Sequence, residues 1–126
     1  MSRFRTSLVP GVTAAADARA KLNGWFSDAV GDRIAEAIRL ATTELVTNAI
    51  RHGGVSLNDE IALLVDLERD VVRVDVEQPG SAAAARVAES PGVDGGFGLA
   101  IVRDLSRRWG IVEGQPGHVW FEIAVP

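Results

Sequence analysis

The sequence predicts an α/β (α+β) fold, a two-layer sandwich in which one mixed or antiparallel sheet carries helices on a single face. Three observations predict it. Ile34, Ile38, Ala41, Leu45 and Ala49 recur at helical spacing and draw one apolar stripe through residues 32–52. Two β-branched runs, Ile61 to Leu67 and Val71 to Gln78, flank Glu68-Arg69-Asp70 as a hairpin. A third helical run opens at Gly98 and is followed by two more strands. The element order is β-α-α-β-β-α-β-β.

At 126 residues, with 47% apolar side chains, the chain is expected to form a single domain, 1–126, around one core. A formal charge of −4 argues against general nucleic-acid binding, which normally leaves a basic footprint. Arg103, Arg107 and Arg108 do cluster, and on one helix they read as a solvated face. The absence of cysteine excludes disulfides and thiolate zinc sites. No apolar run follows Arg3 and Arg5, because Pro10, Asp17 and Arg19 interrupt it. Neither a signal peptide nor a membrane span is expected, and the expected location is the cytoplasm.

In order, Phe4, Thr6 and Leu8 alternate in a short first strand that Pro10-Gly11 ends. Thr13 is the expected N-cap of an alanine-rich helix reaching about Ser27, with Ala16, Ala20 and the stretch from Leu22 to Phe26 facing inward. Gly31-Asp32 separates it from the long second helix, which stops at Gly53-Gly54. In the strand after the hairpin, Val72, Val74 and Val76 share one face, and parity places Gln78 with them. Pro79-Gly80 ends that strand. Residues 81–95 are small and alanine- and glycine-rich, as expected of a mobile lid. The third helix has Leu99, Val102 and Leu105 at core spacing and is expected to end at Gly110, after Trp109. A strand around Ile111-Val112, a turn at Gln115-Pro116-Gly117 and a strand from Val119 to Val125 complete the chain.

Two stretches carry chemistry. Glu44, Asn48 and His52 are spaced by four and stack as a polar row on one face of the second helix. Such a row is either a solvated face or a metal ligand, the Asn48 oxygen, with a general base, Glu44, one turn away. Gly95-Gly96-Phe97-Gly98 precedes a helix and offers unblocked backbone amides at the positive end of its dipole. That loop is either a tight turn needing glycine or an anion site, most naturally for phosphates. It is neither a P-loop, since no Gly-Lys-Ser/Thr follows, nor a Rossmann loop, since Ile101 stands where the third glycine belongs. Two histidines, His52 and His118, are too few for a histidine-based zinc site.

Together, Glu44-x-x-x-Asn48 with His52-Gly53, a strand ending in x-x-Gly80, a small-residue lid and Gly96-x-Gly98-Leu99 resemble the GHKL superfamily, whose histidine-kinase-like ATP-binding domain is the Bergerat fold. The run Glu-Leu-Val-x-Asn-Ala-x-x-His-Gly, the run Gly-x-Gly-Leu-Ala-Ile-Val and the late Val-Trp-Phe strand resemble the anti-sigma-factor serine kinases of the RsbW/SpoIIAB type. The likeness covers nearly the whole chain. It implies ATP and Mg²⁺ as cofactors, with Asn48 as the Mg²⁺ ligand and Glu44 as base toward the incoming hydroxyl. It implies a nucleotide site formed by Asn48, His52, Gln78, Gly80, Gly96, Phe97, Gly98 and Leu99. It further implies a serine/threonine-protein kinase in transcription regulation, holding a sigma factor and phosphorylating a small antagonist protein, with a possible homodimer. No direct contact with nucleic acid or membrane is expected.

One residue departs from the pattern. The family has an aspartate two residues before the glycine matching Gly80, to accept a hydrogen bond from the adenine amine, and here that position is Gln78. An amide oxygen still accepts the bond, but losing its charge costs on the order of 1–2 kcal/mol, roughly ten- to thirtyfold in affinity. The alternative function is therefore a non-catalytic binding module that keeps the fold and has weakened or lost ATP binding.

Overall fold

The computed structural model describes residues 2–26, 30–52, 55–80, 98–114 and 116–126, without the side chains of Phe26 and His52. Among the described residues the element order is the expected one: β1 (Ser2–Leu8), α1 (Ala14–Phe26), α2 (Asp32–His52), β2 (Ile61–Glu68), β3 (Val71–Gln78), α3 (Gly98–Leu105), β4 (Arg108–Val112) and β5 (Gly117–Ala124). The five strands form one sheet in the order β1-β2-β3-β5-β4, and every neighbouring pair is antiparallel. The lid expected at 81–95 lies outside the described residues.

Strand alternation sorts the sheet into two faces. Ile61, Leu63 and Val65 on β2, Val72, Val74 and Val76 on β3, and Val119, Phe121 and Ile123 on β5 are all buried under the helices. Each fully buried side chain of this size contributes about 1.5–3 kcal/mol relative to exposure. Helix α2 is the hub of the second layer: it packs on α1, on α3, and on strands β3 and β5. Its predicted stripe is the buried one, with Ile38, Ala41, Leu45 and Ala49 inside and Ile34 at the margin.

The first helix corrects the expected stripe. Ala14, Ala18 and Leu22 are buried, one turn apart, whereas Ala16 and Ala20 face solvent. Leu22 decides the register, because it is the only large aliphatic side chain on α1 and burying it forces Ala18 and Ala14 to follow. Thr13 does occupy the cap position: its carbonyl accepts the Asp17 N–H at 2.9 Å. Its hydroxyl instead donates to the Asp17 carboxylate at 3.4 Å. Polar ties fix α1 against its neighbours. Lys21 Nζ donates to Thr6 Oγ1 and to the Ser7 carbonyl, Arg19 to Thr43 Oγ1, and Arg39 to Asn23 Oδ1. Trp25 stacks obliquely on Phe4, with ring centroids 6.1 Å apart.

The third helix is shorter than expected. It ends at Leu105, where the Ser106 N–H still donates to the Val102 carbonyl at 2.9 Å. One residue later the Arg107 N–H donates to the Glu122 carbonyl at 2.8 Å, and the chain has already joined the sheet. Trp109 and Gly110 therefore belong to strand β4, and Gly110 is no helix stop. The three arginines are likewise dispersed over the helix (Arg103), the link (Arg107) and the strand (Arg108).

The outer face of the sheet is polar. Arg3, Asp66, Arg73, Glu122 and Arg108 occupy one cross-strand row, so charge alternates in sign across all five strands. Arg3 Nε donates to Asp66 at 2.7 Å, and Arg108 Nε and Nη2 hold Glu122 at 3.0 and 3.3 Å. Arg73 turns along its own strand to bond both oxygens of Asp75 at 2.9 and 3.2 Å, and this hydrogen bonding raises the pKa of its guanidinium. Opposite charges placed directly across strands contribute a few tenths to about 1 kcal/mol each, and arginines on both edge strands discourage further strand addition.

Candidate nucleotide site

Glu44 and Asn48 lie on α2, one turn apart, on the flank of the buried stripe. Their neighbours Leu45 and Ala49 point into the core, which sets the rotation of the helix and hence the direction of the polar pair. Asn48 is only 9% exposed. Among the described residues its carboxamide has no hydrogen-bond partner, and the half-buried Glu44 carboxylate has neither a hydrogen bond nor a cation. A carboxamide oxygen one turn from a carboxylate on the same helix flank is a donor set suited to an oxygen-seeking ligand such as a hard cation. His52 closes the helix, and the Gly53-Gly54 stop lies outside the described residues.

Gln78 is the last residue of β3 and is 3% exposed, on the same face as Val72, Val74 and Val76. The parity argument thus holds. Its partner across the β3–β5 ladder is Gly117, which has no side chain to pack against the amide. The Gly117 N–H donates to the Gly80 carbonyl at 2.9 Å, tying the Pro79-Gly80 turn to β5. Gly117 was not legible as part of this site, because Gln115-Pro116-Gly117 reads as a turn and its register opposite Gln78 follows only from strand pairing.

Gly98 opens α3, at the helix start the sequence predicts. Leu99, at 1% exposure, is core, so its role is to anchor that first turn and not to offer a polar contact. Gly96 and Phe97 lie outside the described residues. The Glu44–Asn48 row, the end of β3 and the start of α3 thus belong to elements that pack on one another through α2.

The profile of the histidine kinase-like ATPase domain matches residues 8–121, nearly the whole chain. The chain belongs to that family. Two solved structures share its architecture. The RsbU and RsbW domains of Rv1364c from Mycobacterium tuberculosis match with a TM-score of 0.74 at 22% identity, covering 100% of this chain and 34% of that one. The histidine kinase domain of a blue-light activated histidine kinase from Erythrobacter litoralis matches with a TM-score of 0.59 at 16% identity, covering 90% of this chain and 60% of that one. At these identities the likeness is one of fold. This ATPase domain spans about a third of the first structure and three fifths of the second. No match is found among curated proteins. Among the described residues, no helix is long and apolar enough to cross a membrane.

Proposed function

We propose that this domain binds Mg²⁺-ATP and transfers its terminal phosphoryl group to a serine or threonine of a small antagonist protein, while holding a second partner such as a sigma factor. The observation that carries this reading is the pair on α2: a nearly buried Asn48 carboxamide without a partner among the described residues, one turn from an uncompensated Glu44 carboxylate. Asn48 would supply an oxygen to Mg²⁺. The described residues include no cluster of three or more acidic or histidine side chains able to cage a metal. A cation held mainly by phosphates and water needs no such cage. Gly98 at the α3 N-terminus, together with Gly96 and Phe97, would receive phosphate; Gln78, Gly80 and Leu99 would border the base, and His52 would close the site behind Asn48.

Bound ATP supplies the electrophilic γ-phosphorus and an ADP leaving group. Glu44 accepts the proton of the incoming hydroxyl as its oxygen bonds to that phosphorus and the bond to the ADP oxygen breaks. Asn48 and the glycine amides orient the phosphates, and positioning of this kind accounts for most of phosphoryl-transfer catalysis. We place the domain, as a single unit over 1–126, in the cytoplasm, where ATP and such partners coexist.

Gln78 supports a second reading, a partner-binding module without turnover, because a neutral amide holds adenine less strongly than a carboxylate. The two separate in one experiment. Purified protein is given γ-labelled Mg²⁺-ATP and candidate antagonist proteins, and label on an acceptor serine or threonine supports the kinase. Partner capture without label under saturating ATP supports the module.

A further inference from the structure

The outer face of the sheet carries charge that its ion pairs leave unused. Arg5, Glu60 and Glu77 make no hydrogen bond and no ion pair among the described residues. His118 stands directly across from Glu77, yet its Nε2 turns to Asp75 Oδ2 at 3.3 Å. Asp75 is the carboxylate that Arg73 already holds. Arg3, which precedes Arg5 on the same face of β1, is taken by Asp66. The network therefore stops before the end of the sheet where Arg5, Glu60 and Glu77 stand.

These three charges line one cleft of about 210 Å³. Its floor is Ala62, which pairs with Ser7 on one side and Glu77 on the other, so a small side chain stands where a longer one would fill the space. Pro79 and Pro116 add rigid apolar rings to the lining. The cleft opens on the sheet face away from α2, so it is separate from Glu44 and Asn48. Two carboxylates against one guanidinium leave it net negative, with its cation on the β1 side. A planar guanidinium matches that pair of carboxylates better than an ammonium, because its fork of donors reaches more than one oxygen. At about 210 Å³ the cleft is smaller than the pockets of roughly 300–1,000 Å³ that enclose small molecules, which favours a side chain carried on a protein. We propose that this cleft docks a mixed-charge segment of a partner protein. An arginine of the partner enters between Glu60 and Glu77, and an acidic side chain two residues along its extended chain, roughly 7 Å away on the same face, pairs with Arg5. The contact does not depend on the nucleotide reading, and it leaves the Glu44 side of the domain open while the partner is held.

Titration of the ¹⁵N-labelled whole chain with the blocked peptide acetyl-Arg-Ala-Asp-amide tests it. Each exposed ion pair changes affinity by a factor of up to about five, so binding should be about millimolar. Saturable amide shifts should centre on Ser7, Ala62 and Glu77. Acetyl-Asp-Ala-Asp-amide and acetyl-Arg-Ala-Arg-amide should each bind severalfold more weakly. Glu77→Gln should weaken the mixed peptide severalfold and Glu60→Gln with Glu77→Gln should abolish its binding, whereas Glu68→Gln, the same loss of charge elsewhere on the outer face, should not. Absence of saturable shifts at these amides in the wild type overturns the proposal. Equal binding of the three peptides, or equal weakening by Glu68→Gln and Glu77→Gln, also overturns it, because only bulk charge would then be at work. Shifts at the same amides that grow with protein concentration alone would place a second copy in the cleft and overturn it too. Should a variant fail to fold, the three peptides on the wild type decide.

Discussion

Trp120 lies so close over Gly110 that a methyl group there would meet the indole Nε1 at 2.8 Å. The two residues face each other across the β4–β5 ladder, and the indole occupies the space that Gly110 leaves open. The Arg73 guanidinium sits 4.1 Å from the centroid of the same ring, with Arg108 at 5.9 Å, so cation–π contacts also hold the indole in place. Gly110→Ala should therefore cost about 1–3 kcal/mol, because overpacking outweighs the smaller backbone gain of replacing glycine in a strand. In a Trp120→Ala background the same substitution should be neutral or stabilising. Denaturant midpoints of the four proteins check this, and additive effects would contradict it.

A second stability prediction concerns α2. Thr42 is fully buried, and among the described residues its hydroxyl has no hydrogen-bond partner. Thr42→Val removes that hydroxyl at nearly constant shape, so the domain should gain about 1 kcal/mol or more and melt a few degrees higher. A lower melting temperature would mean that the hydroxyl is satisfied by a buried water.

Much of the fold could be read from the residues, and the errors have physical causes. The α2 stripe and the β3 alternation are each built from large side chains in one unambiguous period, and both hold in the structure. Helix α1 offers Ala14, Ala15, Ala16, Ala18 and Ala20, all small, so local sequence barely fixes which face is buried. Packing of Leu22 decides it. Around Ser106 to Val112 the apolar residues suit either period, and only pairing with β5, where Trp120 covers Gly110 and Glu122 meets Arg108, selects a strand. Within the candidate site, residues on regular elements (Glu44, Asn48, Gln78) could be placed by spacing alone. Gly117 could not, because its role depends on a register between strands far apart in the chain.

Glu44 should separate chemistry from holding. Glu44→Ala removes the proposed base but neither the Asn48 oxygen nor the phosphate-binding amides. It should lower phosphoryl transfer by two or more orders of magnitude while changing Mg²⁺-ATP affinity by less than about fivefold. Capture of a sigma-factor partner should survive, because that contact needs a surface and not a base. Full transfer activity in folded Glu44→Ala would clear the residue of the role.

Titration calorimetry of Mg²⁺-ATP into the wild type and Asn48→Ala tests the central claim most directly. Asn48 makes no hydrogen bond among the described residues, so its truncation should leave the domain folded and within about 1 kcal/mol of wild-type stability. The account predicts saturable, Mg²⁺-dependent ATP binding in the wild type and loss of the Mg²⁺-dependent part in Asn48→Ala. Equal Mg²⁺-ATP affinity in the two folded proteins would contradict it.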